Sequence, residues 1–378
     1  MSDSAAPPER GPRLRILLVG TAHGAEIRGA SQAIHGLASA LAARHDVTLL
    51  QAAAPAHRIA IPGVRMRYVA QTRKSRYPLR FAAERISHFD LVHACDQAAG
   101  PLALRARLAG APLVAELHPG RLHTERLWRA GWRWRWMRLA IRAAPAILVP
   151  SRWLAEALVA TYRIDPRRVH AIPHGVAEHW FEGGLAAPAA PLRIVLVNMR
   201  GVETALRAFA RIAARVPGVR LELYGRHRRV EELRALAAAL GIAGQVEVAG
   251  FVPNASLPGR LRGAALLLHP TDAESFGQVL AEAAALGLPV VASRVGATPE
   301  LVVHGETGLL CPVGDADAFA DALLRLLADP ALGASMGRAA RSRARALWRW
   351  ESVVARIERE LYAPLRAARS ATRTSPIP

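Results

Sequence analysis

Two carboxylates, Glu274 and Glu282, stand in the stretch TDAESFGQVLAEAAALGLPVVASRVGATPE, residues 271–300. One carboxylate can accept from two adjacent hydroxyls of a sugar or a ribose, and free N–H groups at a helix start can donate to a ligand oxygen. The order of residues predicts both in one place. ALLLHPT reads as a strand ending at Pro270–Thr271, and GQVLAEAAAL as a helix that begins at Gly277 and stops at Gly287, a left-handed cap. Ser275, Phe276 and Gly277 then offer their amides, and Gly277 lets a ligand approach the backbone. Glu274 lies just before the helix. Glu282 follows about two turns on, roughly 80° away around the axis at about 100° per residue. A glutamate pair alone is an ordinary solvated feature; the strand, acidic loop, Ser-Phe-Gly and helix together give it meaning.

These residues need a scaffold. RLRILLVG is a continuous apolar run ending in Gly20, as a buried parallel strand should be. Helical periodicity follows over 29–44, then DVTLL, FDLVHA, PLVAELH, PAILVPS and VHAIPHG as further strands. After GGLAAPAAP the pattern restarts with LRIVLVN, RLELYG, QVEVAGF, ALLLHPT, PVVASR and TGLLCP, separated by helices such as 229–240 and 277–286. Strands alternating with helices predict an α/β protein with doubly wound, mostly parallel sheets. The expected organisation is a tail over 1–12, a Rossmann-like domain over 13–182 and a linker over 183–191. A second Rossmann-like domain then spans 192–346. A last amphipathic helix over 347–368 is expected to pack back on the N-terminal domain, followed by a tail over 369–378. A ligand crevice is expected between the halves, at the carboxyl ends of the strands.

Composition narrows the function classes. The 378 residues are 52% hydrophobic and carry a formal net charge of +20, almost wholly from arginine, since Lys74 is the only lysine. That charge favours a polyanion or an anionic membrane surface as a partner. No helix-turn-helix, RNA-recognition or finger pattern supports specific nucleic-acid binding. Cys95 and Cys311 sit in apolar runs and read as free buried thiols in a reducing compartment. No Cys/His spacing fits zinc, no signal peptide is legible at the N-terminus, and no run of about 18 apolar residues occurs. A cytoplasmic protein is expected, with docking at the inner membrane face still open. TERLWRAGWRWRWMRLAIRAA (124–144) places Trp128, Trp132 and Trp136 on one helical stripe flanked by arginines, and RMRYVAQTRKSRYPLR (65–80) reads as a basic loop. Either can serve an interface with anionic lipid, or the stripe can pack on the core.

The stretch 250–315 resembles the retaining glycosyltransferases of the GT-B fold, group 1 (family 4), which carry an E-x7-E motif in this setting. The resemblance extends over nearly the whole chain. It implies two Rossmann-like domains facing across a cleft, 13–182 acceptor-binding and 192–346 nucleotide-sugar-binding, with Glu274 against the transferred sugar, Glu282 on the ribose of the nucleotide, and the amides of Ser275, Phe276 and Gly277 on the donor. It implies that His118, at the end of PLVAELH, lies near the transferred sugar. Gly29, in RGAS, stands where the family has Gly-Gly at a helix start, with Arg28 replacing the first glycine. His174 in IPHG replaces the usual Asn. In IVLVNMRGVETALRAF the family's Arg and Lys-Gly reduce to Arg200–Gly201, and the loop is shortened; Arg200 can still grip a diphosphate, with Arg226, Arg228 or Arg229 available to assist. The implied reaction moves a hexosyl-type group from a nucleoside diphosphate sugar to an acceptor hydroxyl, with retention and with neither metal nor cofactor. The acceptor is a glycan, a lipid or a small molecule. The alternatives are an epimerase or donor hydrolase on the same fold, and a non-catalytic nucleotide-sugar binding module.

Overall fold

The computed structural model describes residues 12–20, 29–69, 77–82, 85–118, 132–227 and 229–374. Apolar runs bury themselves as parallel strands covered on both faces. The first sheet holds β1 (Arg15–Gly20), β2 (Asp46–Ala52), β3 (Arg65–Val69), β4 (Leu91–Cys95), β5 (Leu113–Glu116), β6 (Ala146–Val149) and β7 (Val169–Ala171). The second holds β8 (Arg193–Val197), β9 (Arg220–Tyr224), β10 (Val246–Gly250), β11 (Leu266–His269), β12 (Val290–Ser293) and β13 (Gly308–Cys311). The orders are β3-β2-β1-β4-β5-β6-β7 and β10-β9-β8-β11-β12-β13. Each order reverses once, between β1 and β4 and between β8 and β11, and ligand crevices form outside the carboxyl ends of strands at such reversals. The chain is thus a two-lobed GT-B fold. Apolar clusters line both faces of each sheet.

Two expectations need correcting. Residues 65–80 are not one loop. Arg65–Val69 is β3, the edge of the first sheet, and 77–82 is a short helix; 70–76 lie outside the described residues. Arg65 and Arg67 alternate outward, as charged residues on an edge strand do, and this hid the strand. Tyr68 is tied down, its hydroxyl donating to the Ile59 carbonyl and its ring lying under Arg58. The last helix also starts later than 347. A helix Pro330–Leu347 ends at Trp348, Arg349 bridges to Val176, and one helical run then covers 350–374, as Trp350–Ile357, the wider turn Glu358–Tyr362 and Ala363–Thr374. The break has a packing reason. Trp348 belongs to the core of the second lobe, whereas Val353, Val354, Ile357, Leu361 and Tyr362 pack with Ile16, Leu18, Ile34 and Leu37 of the first. One straight helix cannot press one stripe into both.

Trp350 sits at this crossing. A Cβ added at Gly36 or Gly175 would lie 2.4 or 2.2 Å from its indole, so the ring wedges between the first-lobe helix Gly29–Ala42 and the chain leaving β7. The helix Trp132–Ala143 buries Ala140 and Ile141 and exposes Arg135, Arg138 and Arg142, with Trp136 half-buried. Trp128 lies outside the described residues. Both cysteines are buried free thiols, and among the described residues no helix is long and apolar enough to cross a membrane.

Candidate active site

β8 and β11 end side by side, and their loops build the second-lobe wall. After β8 the chain turns within Asn198–Gly201, where Asn198, Met199 and Gly201 have φ of 81°, 49° and 64°. A left-handed backbone at two non-glycine residues is strained, and it follows from shortness: Met199 must drop into the core while Arg200 stays at the surface. Gly201 then starts the helix Val202–Ala213, so close to the second loop that a Cβ would lie 1.8 Å from the Pro270 carbonyl oxygen. The Arg200 Nη1 donates to the Ala273 carbonyl at 3.3 Å. This couples the two loops.

The loop after β11 sets the first glutamate. Thr271, fully buried, donates its hydroxyl to the Ala273 carbonyl at 2.9 Å. The Ala297 N–H donates to the Glu274 carbonyl at 2.9 Å, and Gly296 leaves room, since a Cβ there would sit 2.0 Å from the same oxygen. The Glu274 carboxylate meets His269 Nε2 at 3.3 Å and accepts from the Phe276 N–H at 3.4 Å. Burial works to raise its pKa, but His269, Arg200 and the Phe276 amide outweigh it and hold it below the ordinary value. Gly277, at φ 102°, opens the helix Gln278–Leu286, and Gly287 closes it at φ 75°.

Glu282 lies within that helix and is 4% exposed. Asn254 Nδ2 donates to it at 3.0 Å, while the Asn254 carbonyl oxygen accepts from Trp180 Nε1 at 3.1 Å and meets His179 Nε2 at 3.2 Å. Burial pushes the Glu282 pKa up to about 8 despite the hydrogen bonds from Asn254 and Gln278.

The first lobe contributes the ends of β4 and β5. His118 Nε2 faces Glu116 Oε1 at 3.0 Å, Nδ1 faces Asp96 Oδ2 at 3.5 Å, and the His118 backbone N–H donates to Asp96 Oδ1 at 2.7 Å. Burial disfavours the imidazolium, but Asp96 and Glu116 outweigh it and raise the pKa to about 10. His174 stands edge-on to His118, ring centroids 4.8 Å apart, and 5.1 Å from Phe276 of the other lobe. Burial and the His118 charge drive its pKa down to about 3. Ligand atoms of Glu116, His118 and His174 lie within 4.8 Å of one another. His118 Nε2 is hydrogen-bonded to Glu116, whereas the buried His118 Nδ1 and His174 Nε2 make no hydrogen bond and lie 3.5 and 3.6 Å from carboxylate oxygens of Asp96 and Glu116.

The lobes meet across these walls. Ser151 Oγ donates to the Ser275 carbonyl at 2.7 Å, and the Glu300 carboxylate accepts from the N–H groups of Arg152 and Trp153 at 2.9 and 2.7 Å, capping a first-lobe helix from the second lobe. Between them lies a cavity of about 570 Å³ lined by His118, Arg200, Glu274, Ser275, Phe276, Gly277 and Glu282. Seven of the sequence-derived residues therefore converge. Gly201 packs behind the wall under Pro270, and Gly29 begins the helix that sends Gln32 to the cavity. Arg226 lines it also, whereas Arg229 is drawn into ion pairs with Glu232 and Glu203; Arg228 lies outside the described residues. Asp96, Glu116, Asn254 and His269 were not singled out from sequence. A signal existed for two of them: Glu116 and His269 close otherwise apolar parallel strands, where a buried ionisable group needs a partner.

Comparison with known proteins gives a consistent picture. The family description "Glycosyl transferases group 1" matches residues 195–343, and "Glycosyltransferase Family 4" matches 27–180. The chain is 37% identical over 188 residues to the GDP-mannose-dependent alpha-(1-6)-phosphatidylinositol monomannoside mannosyltransferase of Mycolicibacterium smegmatis, covering 47% of this chain and 48% of that one. It is 36% identical over 234 residues to D-inositol 3-phosphate glycosyltransferase of Acidothermus cellulolyticus, covering 56% and 52%. The matches thus span about half the length of these relatives. With the MMP alpha-(1->4)-mannosyltransferase of Mycolicibacterium hassiacum the identity is 30% over 293 residues, 73% of this chain and 71% of the relative. Sucrose-phosphate synthase from Thermosynechococcus elongatus shares the fold, with a TM-score of 0.77 at 24% identity over 94% of this chain and 100% of that one. Anabaena HepE, solved in complex with UDP-glucose, does so with a TM-score of 0.74 at 20% identity over 93% and 100%.

Proposed function

The chain belongs to the group 1, family 4 glycosyltransferases, and from that premise we propose that it transfers a hexosyl-type group from a nucleoside diphosphate sugar to an acceptor hydroxyl. One observation carries the reading: Glu274, Glu282, the segment Ser275–Phe276–Gly277 that leads into a helix, and Arg200 line a single cavity between the lobes. In this reading Glu282 accepts from the ribose hydroxyls and Glu274 from hydroxyls of the transferred sugar. Arg200 and the amide end of the helix Val202–Ala213 meet the negative charge that grows on the leaving diphosphate. With Arg226 beside them, these groups offer the positive charge the step needs, and we assign no resident metal or cofactor. The configuration at the anomeric carbon is retained, the leaving phosphate taking the acceptor proton on the same face.

The donor class is supported by relatives named for GDP-mannose and by a neighbour solved with UDP-glucose. The acceptor we propose is a glycan or a lipid-linked saccharide, reached from the cytoplasmic side of a membrane. The support is one relative named for a phosphatidylinositol mannoside, together with the exposed arginines of the helix Trp132–Ala143.

Incubation with UDP-, GDP- and ADP-hexoses and candidate acceptors tests the assignment, the product anomer being read by NMR. Glu274→Ala is expected to lower kcat on the order of 100-fold at saturating donor, the scale of removing one group that stabilises a transition state. Unchanged turnover would refute the role of Glu274. One observation favours a second reading: the phosphate loop carries a single cation, Arg200, on a strained backbone. Donor binding by calorimetry with no product from any acceptor would favour a binding module.

A further inference from the structure

A line of hydrogen bonds crosses the first lobe behind the cavity. The Tyr362 hydroxyl, on the segment that returns from the second lobe, is 2.8 Å from His93 Nδ1; His93 Nε2 is 2.9 Å from Glu116 Oε2; Glu116 Oε1 is 3.0 Å from His118 Nε2. His93 is fully buried, Glu116 and Tyr362 nearly so. The strands explain the line, since β4 pairs with β5 and brings His93, Cys95, Glu116 and His118 to neighbouring positions. We propose that Glu116, together with Asp96, is a positioning residue that fixes His118 as an imidazolium at the cavity wall, a permanent positive charge in the chamber that holds Arg200. This deepens the proposed transferase reading and rests on it for its catalytic consequence alone.

The two carboxylates facing the ring fit the imidazolium best. A neutral imidazole offers one N–H and one lone pair, yet both ring nitrogens of His118 face carboxylate oxygens. A lone pair at Nδ1 would meet Asp96, and a protonated Asp96 would have to donate across 3.5 Å, beyond hydrogen-bond length. With His118 doubly protonated, Tyr362 donates to His93, His93 donates to Glu116, His118 Nε2 donates to Glu116, and Nδ1–H, which makes no hydrogen bond, stands as an ion pair 3.5 Å from Asp96. The shifts agree in direction, Glu116 and Asp96 held low although burial opposes it, and His118 raised. The groups around His118 are Asp96, Glu116 and His174, with His93, Cys95 and Tyr362 behind Glu116, and Arg200 and Glu274 across the same cavity. With Nε2 held by Glu116 and Nδ1 turned toward Asp96, His118 acts on a ligand through its charge, which attracts the electron-rich oxygens of a sugar diphosphate.

The test is a long-range nitrogen–proton NMR spectrum of the full-length protein labelled at histidine, His118 being assigned by loss of its signals in His118→Gln. At about pH 8.5, well above the ordinary imidazole value near 6.5, both ring nitrogens of His118 are expected in the protonated range, with no substrate present. Glu116→Gln keeps the size and removes the charge; His118 should then titrate below pH 8. Activity of Glu116→Gln should fall on the order of 100-fold at about pH 8.5 and recover in part at about pH 6, whereas a merely structural lesion lowers both equally. If that variant does not fold, Asp96→Asn and the wild-type spectrum decide. A neutral His118 in the wild-type protein at pH 8.5, or an imidazolium that persists in Glu116→Gln, overturns the proposal. A protonated His118 in a protein without transferase activity would retire the transferase reading and leave the positioning role standing.

Discussion

Glu282 is as buried as the leucines around it, yet the hydrogen bond that holds it comes from Asn254, itself held by Trp180 and His179. Burial raises its pKa from 4.5 to about 8. Between those values the folded chain binds a proton that the unfolded chain has lost, so this group's stability contribution is full below pH 4.5 and is lost as pH rises through 8. A tenfold difference in proton affinity between the two states corresponds to about 1.4 kcal/mol. Glu282→Gln keeps the shape and removes the titration, so thermal unfolding of wild type and variant should diverge as pH climbs from about 5 to about 8, the variant gaining. Parallel curves would show that Glu282 is not desolvated. The cost is intelligible if the carboxylate is meant for ribose hydroxyls, since a ligand that donates to it replaces the missing water.

Loops carry the next level. Asn198–Gly201 and Thr271–Gly277 are locked face to face, and the contact tolerates no side chain at Gly201. Gly201→Ala adds a Cβ at 1.8 Å from a carbonyl oxygen on a backbone of φ 64°. We expect a loss of at least about 1–3 kcal/mol from the backbone alone, with weaker nucleotide-sugar binding as Arg200 is pushed out of register. Chemical denaturation and calorimetry check this; an alanine variant of unchanged stability and affinity would mean that the loops are not coupled. The lobes are coupled by comparable means. Glu300 caps a helix that belongs to the opposite lobe, and Ser151 reaches the carbonyl of Ser275 at the cavity wall. Closure and site assembly therefore share the same few atoms.

At the scale of the whole molecule, the charge of +20 is the property that no single site explains. A surface so rich in arginine attracts anionic surfaces over roughly a Debye length, about 8 Å at physiological ionic strength. Vesicle flotation should recover the protein with vesicles containing anionic lipid, and recovery should collapse at about 0.5 M salt, where screening is stronger. Equal recovery with neutral vesicles would remove electrostatics as the cause. The same scale holds the crossing at Trp350, where the last helices leave the second lobe and complete the core of the first. Neither lobe is closed without chain from the other, so the cleft is a property of the pair.

The backbone's own periodicity decided much in advance. Among the described residues, twelve of the thirteen strands read as apolar runs, because neighbours along one element are set by fixed rise and rotation. Helical spacing did not set the relation of Glu274 to Glu282: Glu274 lies in the loop before the helix Gln278–Leu286, and Gly277 at φ 102° turns the chain between them. β3 escaped because an edge strand carries charge. What packing alone decided lies between elements: that Glu116 on β5 stands beside His93 on β4, that Tyr362 reaches them from the far end of the chain, and that Asn254 rather than solvent meets Glu282. Distances between strands follow from sheet order and lobe closure, which depend on every apolar side chain at once, and no local stretch of sequence carries them.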